Sequence, residues 1–365
     1  MRIIITGGGT GGHLYPALAI GHEFAKLGAE VRYIGSCNGI EKDVMKKEVF
    51  VSDFLPVEGI RNKNLFSMPK ALFNLARSYK MAKKLVRDFA PDLIIGTGGY
   101  ASFPVIKAGI GLGCKTMIHE ANAEIGKANA NLGARVDCLC LTYKTTAEQI
   151  QSCKNIKITG MPVRDSVKTT DPIAGTEYIG VDDDTLVVTI TGGSQGSHHI
   201  NEAMAAYYRQ MPTDRNILFY HIVGKINGAD AELVKGLKNV RVKEYEEKMD
   251  LVLSRTDIIV SRAGSSSLAE ISIKGIPGIL VPYPFSHGHQ EKNAAYYHNS
   301  GGAIMVLDKD LPQGLFEALD TVIENADKRN TMSKAMAAEA KPEALAKIVE
   351  VGLALIKEDQ KESEK

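Results

Sequence analysis

Two glycine-rich turns, each fed by a short apolar strand, constrain this chain more than any other feature. Arg2-Ile3-Ile4-Ile5-Thr6 runs into Gly7-Gly8-Gly9-Thr10-Gly11-Gly12-His13, and Leu186-Val187-Val188-Thr189-Ile190-Thr191 runs into Gly192-Gly193-Ser194-Gln195-Gly196. A helical pattern follows each turn. Glycine has no Cβ to hold a ligand off the backbone, and it tolerates positive φ. A helix N-terminus just beyond supplies N–H donors and a dipole suited to an anion. Two such junctions predict two nucleotide-binding-type halves with a ligand between them.

Length agrees with that division, since 365 residues exceed most single cores. Strands are expected at Arg2–Thr6, Glu30–Ile34, Asp92–Gly96, Lys115–His119, Cys138–Leu141 and Ile156–Thr159. Helical patterns over Pro16–Leu27, Pro69–Phe89 and Phe103–Leu112 lie between them. The second half repeats the scheme at Leu186–Thr191, Ile217–Val223, Val240–Val242, Asp257–Ser261 and Gly278–Pro282. Such alternation predicts an α/β protein with parallel sheets, whose ligands sit beyond the carboxyl ends of the strands. The boundary is expected near Gly160-Met161-Pro162-Val163, giving domains 1–163 and 164–342, and Thr169–Thr185 reads as loop.

Composition narrows the function classes. A net charge of +1 excludes the global attraction to polyanions of a strongly basic protein. No apolar run reaches the ~18–20 residues that span a bilayer. The five cysteines lack metal-site spacing and read as free thiols. No secretory pattern opens the sequence, so the expected compartment is the cytoplasm.

The first turn contains a frame compatible with a dinucleotide fingerprint, but no acid closes the next strand, where Val31-Arg32-Tyr33-Ile34 leads to Gly35-Ser36-Cys37-Asn38. That argues against a simple dinucleotide enzyme. His13 stands where the turn enters its helix, as a general base or as a capping or anion-contacting group. The second turn has no following lysine, so it is not an ATPase-type P-loop, and Ser194 offers a hydroxyl beside N–H groups suited to a diphosphate. A third junction, Asp257–Arg262 into Ala263-Gly264-Ser265-Ser266-Ser267-Leu268-Ala269-Glu270, sets three hydroxyls at a helix start. Capping explains one of them, and Glu270 can accept from vicinal hydroxyls such as those of ribose. The stretch His287-Gly288-His289-Gln290 mixes groups that read sugar hydroxyls. Its two histidines have no third ligand at metal spacing, and Asp182-Asp183-Asp184 precedes a strand, so no metal site is expected.

Charge is locally unbalanced. Residues 61–87 carry Arg61, Lys63, Lys70, Arg77, Lys80, Lys83, Lys84 and Arg87 and no acid. A helical wheel sets Lys70, Arg77, Lys80, Lys84 and Arg87 opposite Leu72, Leu75, Tyr79, Ala82, Val86 and Phe89. Leu65 and Phe66 lie on the preceding loop. Basic residues near anionic lipid contribute about 1 kcal/mol each, and an apolar loop adds anchoring. With no nucleic-acid motif present, an anionic membrane surface is the expected partner.

In order and spacing, GGTGGHLYPAL (8–18), GTGGYASFPV (96–105), HEANAEIG (119–126), TGMPVR (159–164), GGSQGS (192–197), SRAGSSSLAEI (261–271) and HGHQEKNA (287–294) resemble the MurG family of peptidoglycan glycosyltransferases. The resemblance covers nearly the whole chain. It implies the GT-B fold of glycosyltransferase family 28, two Rossmann-like domains facing a central cleft. It also implies transfer of N-acetylglucosamine from UDP-N-acetylglucosamine to a lipid-linked muramyl-pentapeptide, with inversion. On this resemblance the second domain binds the donor. Gly193 and Ser194 meet the diphosphate, Ser265, Ser266, Ser267, Leu268 and Ala269 line the pocket, and Glu270 binds ribose. Arg164 and the main chain near Tyr245–Met249 lie near uracil, with Gln290 and Asn293 near the sugar. The first domain holds the acceptor and associates with the cytoplasmic side of the membrane. There Thr10, Gly11, Gly12, His13 and Asn122 face the cleft, close enough to touch the donor sugar. A final helix at Glu343–Ile356 is expected to cross back to the first domain.

The sequence departs from the family at Phe103, where glycine is usual, and at Ala121 and Ile125, in a segment that usually reads Glu-Gln-Asn and then Pro-Gly. These changes fall on the acceptor side. The expected base is His13, positioned by Tyr100 and Asn122, with leaving-group charge met by backbone donors and no metal or other cofactor. Two other readings stand beside this one: a related glycosyltransferase with another lipid or small-molecule acceptor, and a non-catalytic nucleotide-sugar-binding module.

Overall fold

A computed structural model describes residues 1–59, 68–150, 152–212 and 214–363. The chain forms two compact units, Met1–Val163 with Glu343–Lys365, and Arg164–Pro342. Arg61, Lys63, Leu65 and Phe66 lie outside the described residues.

The first unit is built on a parallel sheet of β1 (Arg2–Thr6), β2 (Glu30–Ser36), β3 (Val51–Leu55), β4 (Leu93–Gly96), β5 (Thr116–Glu120), β6 (Cys138–Leu141) and β7 (Ile156–Ile158). Its order is β3-β2-β1-β4-β5-β6-β7. Both faces are covered, which is why these strands read as unbroken apolar runs rather than alternating ones. Ile3 and Ile5 pack with Phe24 of the Gly11–Lys26 helix on one face. Ile4 and Ile94 pack with Ala82 and Val86 of the Met68–Phe89 helix on the other. The last helix, Ala344–Ser363, belongs to this unit: Ile348, Val349, Leu355 and Ile356 share the cluster of Phe24 and Leu93.

The second unit has β8 (Leu186–Thr191), β9 (Ile217–Ile222), β10 (Val240–Lys243), β11 (Ile258–Ser261), β12 (Gly278–Leu280) and β13 (Ala303–Met305), ordered β10-β9-β8-β11-β12-β13. In each sheet the order reverses beside the strand that feeds a glycine turn, between β1 and β4 and between β8 and β11. A doubly wound sheet opens its ligand crevice at such a reversal.

Three differences from the sequence expectation have physical causes. The stretch read as loop contains helices at Asp165–Thr169 and Pro172–Ile179. The second is capped by Asp171, whose side chain accepts from Ile173 N, has proline at its first position and ends on Gly180 at φ 68°, a full set of stop and start signals. Strand β3 carries Ser52 and Asp53 between partly exposed neighbours at the sheet edge, and β13 has only three residues, so neither yields a long apolar run. On the Met68–Phe89 helix the buried stripe is Ala71, Ser78, Ala82, Val86 and Phe89. Leu72 is therefore turned away from the core and is 52 % exposed.

Candidate functional site

A pocket of about 690 Å³ opens in the second unit beyond β8 and β11, within the roughly 300–1,000 Å³ range of small-molecule sites. Its floor is the second glycine turn, whose glycines serve different ends. Gly196 packs backbone to backbone, because a Cβ there would overlap the Val223 carbonyl. Gly193, at φ 86°, has nothing within 4 Å of its Cβ position. Ligand access is thus Gly193's contribution, and tight packing is Gly196's.

Arg164 and Glu270 form one wall. The Arg164 Nε–H and Nη2–H both reach Glu270 Oε1 at 3.0 Å. Burial pushes the Glu270 carboxyl above its usual range, and Arg164 opposes that shift. Glu270 lies on the Ser265–Lys274 helix, whose N-cap, Gly264, supplies no side-chain bond to the first N–H groups. Ser194, Ser267 and Gln290 also line the pocket, as do Tyr245, Glu246 and Glu247 from the loop after β10 and Met249 at the start of the next helix. Glu246 fixes that loop by accepting from Tyr220 Oη at 2.6 Å, Tyr178 Oη at 2.8 Å and Lys248 N at 2.8 Å. Burial raises its pKa, and these bonds outweigh the rise and hold it below the usual carboxylate range.

Other expected donor residues serve the frame. Gln290 Oε1 accepts from Ala263 N at 3.1 Å and Tyr283 N at 3.0 Å. Any hydroxyl that Gln290 reads must therefore be read by its amide N–H groups. Asn293 is fully buried and donates to Ala263 O and Ser265 Oγ at 3.1 and 3.0 Å. Leu268, Ala269 and Ser265 are buried, and Ser266 is half-buried beside them; none of these lines the pocket, nor does Asn293.

The first glycine turn is furnished differently. Glu41, fully buried, accepts Gly9 N–H at Oε2 and Ser36 N–H at Oε1, both at 3.0 Å. The Tyr100 ring covers Gly9, and Tyr33 Oη donates to Gly7 O at 2.6 Å. His13 Nδ1 lies 3.0 Å from Thr97 O. A carbonyl only accepts, so Nδ1 carries the proton and Nε2 is the basic atom of the neutral ring. This bond goes to a carbonyl on another strand's exit, so His13 is not a helix cap. Thr10 and Gly12 are exposed, Gly11 and His13 half-buried. Asn122 is held by Glu120, whose Oε1 accepts from Asn122 N at 2.9 Å. Ala121 is buried, and Phe103 and Ile125 pack against the core of this unit.

Both units correspond to known domains. Family models described as the glycosyltransferase family 28 N-terminal domain and C-terminal domain match residues 3–140 and 187–348. A relative from Desulforamulus reducens is 34 % identical over 365 residues, covering 96 % of this chain and 97 % of its own. The chain belongs to glycosyltransferase family 28. That relative is named UDP-N-acetylglucosamine--N-acetylmuramyl-(pentapeptide) pyrophosphoryl-undecaprenol N-acetylglucosamine transferase. A Bacillus cytotoxicus protein of the same name is also 34 % identical, over 98 % of this chain and 100 % of its own. Among solved structures, Acinetobacter baumannii MurG aligns with a TM-score of 0.80 at 23 % identity, over 97 % of this chain and 99 % of its own. A UDP-GlcNAc 2-epimerase from Neisseria meningitidis, bound to UDP-GlcNAc, aligns at 0.66 and 18 %, over 97 % and 100 %. Both carry the GT-B pair of parallel-sheet domains seen here.

The family 28 pocket also contains residues that the sequence reading left out. His198 and His199 begin the helix after the second turn, and both line the pocket with Arg262 and Asp308. His198 Nδ1 is 2.9 Å from Asp230 Oδ1, and His199 Nδ1 is 2.5 Å from Asp308 Oδ2. Arg262 reaches Asp308 Oδ1 and Ser197 Oγ, both at 2.6 Å. A Gly-Gly-Ser turn followed by consecutive histidines was the available signal. Among the described residues, no group of three or more His, Cys, Asp or Glu could hold a metal, and no helix is long and apolar enough to cross a membrane.

Proposed function

We propose that this family 28 enzyme transfers N-acetylglucosamine from UDP-N-acetylglucosamine to the 4-hydroxyl of undecaprenyl-diphospho-N-acetylmuramoyl-pentapeptide, a step of peptidoglycan synthesis. The observation that carries the reading is the second-unit pocket, which the open Gly193 backbone and the Arg164–Glu270 pair line together. A diphosphate fits the first and a ribose the second. Relatives that share the whole length of the chain are named for this transfer.

The donor binds in the second unit. Its diphosphate lies over Gly193 and Ser194, its ribose against Glu270, and its uracil near Arg164 and the 245–249 loop. The acceptor binds to the first unit, near Tyr100 and Asn122. His13 Nε2 takes the proton of the acceptor hydroxyl as that oxygen bonds to the anomeric carbon, and the bond to the diphosphate breaks on the opposite face. The product is β-linked. Charge growing on the departing diphosphate is met by N–H groups of the turn, fixed before the reaction starts. No metal or cofactor enters this scheme.

The basic helix supports residence at the cytoplasmic side of the membrane. Phe73, Arg77, Lys80, Lys84 and Arg87 follow one another at steps of three and four along Met68–Phe89, and all are exposed. An aromatic side chain at the head of a basic stripe suits an anionic lipid interface. Nucleic acid is not a partner in this reading.

A UDP-release assay tests the reaction with the lipid-linked muramyl-pentapeptide in one arm and diacylglycerol in the other. Release that depends on the muramyl lipid is expected. Release only with diacylglycerol moves the enzyme to another acceptor, and tight donor binding without release in either arm leaves a binding module.

A further inference from the structure

The second-unit pocket carries a charge problem. Its acidic and basic lining, histidines aside, is Arg164 and Arg262 against Glu246, Glu247, Glu270 and Asp308. Both arginines are already engaged, Arg164 with Glu270 and Arg262 with Asp308. A nucleotide diphosphate brings two further negative charges into a wall that is already acidic. Backbone N–H groups of the turn supply partial charges only.

His198 and His199 are the remaining lining groups able to become cations. Each has Nδ1 directed at a carboxylate from a different loop, Asp230 for one and Asp308 for the other. A carboxylate only accepts, so each Nδ1 holds a proton, and the second proton of either imidazolium sits on Nε2. Asp230 and Asp308 are themselves buried or nearly so, with side chains 11 % and 9 % exposed. They therefore fix the rings firmly. We propose that His198 and His199 form the cationic wall of the diphosphate subsite, so that donor binding is coupled to proton uptake by these imidazoles.

The inference rests on the donor reading given above and assigns that site two residues and a pH response. Facing His198 are Asp230, Glu202 on the next turn of its own helix, at 3.3 Å from Nε2, and the neighbouring His199 ring. Facing His199 are Asp308 and, behind it, Arg262. The Asp230 hydrogen bond, with Glu202 adding to it, holds His198 above the ordinary histidine range. Burial pushes Asp308 up, and bonds from His199 and Arg262 overcome that and hold it low. Asp308 thus stays charged behind the His199 ring. A diphosphate arriving in the pocket adds negative charge beside both rings, and any proton taken up is drawn from solvent.

Calorimetry with the full chain tests this. UDP-N-acetylglucosamine is the probe, because its diphosphate has no group titrating near neutrality, and uridine is the uncharged control. Titrations at about pH 7.5 in two buffers of different ionisation heat should reveal proton uptake with the sugar nucleotide and none with uridine. Affinity for the sugar nucleotide should fall about threefold or more from about pH 6.5 to about pH 8.5. A His198→Gln/His199→Gln double variant should bind it roughly tenfold more weakly with little uptake, and bind uridine as before. A His198→Arg variant should keep affinity while losing part of the pH slope. Binding of UDP-N-acetylglucosamine without proton uptake, or equal uptake in wild type and double variant, overturns the proposal. If the double variant loses uridine as well, His198→Arg decides, and an unchanged slope there overturns the role of His198. Wild-type protein that binds neither probe overturns the donor reading itself.

Discussion

The Glu41 carboxylate accepts the Gly9 N–H at 3.0 Å, so the first glycine turn is already occupied by an anion of the protein's own. Its second oxygen takes Ser36 N–H at the same distance. The two turns look alike in sequence, but one is closed by a buried side chain and the other stays open at Gly193. Replacing Glu41 with Gln leaves one acceptor oxygen for two N–H groups, one buried and one half-buried. A loss of about 1–3 kcal/mol is expected, measured as a lower urea midpoint. A midpoint equal to wild type would refute the account.

His13 is fixed by Thr97 O in the tautomer a base requires. His13→Ala should retain donor binding by calorimetry while kcat falls by roughly 100-fold or more. A drop below about tenfold would remove the residue from proton transfer.

Glu270 presents a carboxylate that burial makes costly to keep charged and that Arg164 steadies. If it reads ribose hydroxyls, wild type should favour UDP over its 2′-deoxy analogue by roughly tenfold. The Glu270→Gln variant should discriminate less. Equal preference in both proteins would place the ribose elsewhere.

His221 gives a pH signature of folding. It is fully buried between Tyr208 Oη and Asn201 Oδ1, each at 3.0 Å. Burial pushes its pKa down to about 4 from an ordinary 6.5. Between these values the unfolded chain holds a proton that the folded chain refuses. Stability should therefore be complete above about pH 6.5 and decline as pH falls toward 4, by roughly 3 kcal/mol in all. Denaturant midpoints at several pH values, compared with His221→Gln, isolate the contribution. A variant with the wild-type slope would contradict it.

The basic stripe predicts binding to anionic vesicles. Replacing Lys80, Lys83 and Lys84 with Glu should reduce co-sedimentation by tenfold or more at about 1 kcal/mol for each basic residue lost, and the effect should shrink in high salt. Unchanged sedimentation would end the membrane claim. Leu72 and Phe73 are 52 % and 68 % exposed on the same helix, so serine at both should weaken binding without unfolding the unit.

Much of the fold was legible because buried parallel strands announce themselves. Runs such as Ile3–Ile5 and Val187–Ile190 have no polar alternation, and glycines punctuate their ends. The short edge strands β3 and β13 have little apolar surface to advertise. Pocket-lining positions were legible where the pattern is local, as at Gly193, Ser194 and Glu270. The site was opaque where a role depends on a partner far along the chain. Glu41 acts on a turn 32 residues away, and His199 meets Asp308 across 109. Asn293 illustrates the converse, since its amide is fully buried and brackets Ala263 and Ser265, which no neighbouring residue signals.

The helix Ala344–Ser363 packs into the unit that contains the first strand, and this sets an order of maturation. The second unit is an insertion, complete when Pro342 has been synthesised. The first unit waits with the surface around Phe24 and Leu93 uncovered until residues near Ile356 emerge from the ribosome. The second unit can thus mature during translation, whereas the half bearing His13 and the basic helix closes only afterwards. A nascent chain acquires its second-unit pocket before its first unit is finished.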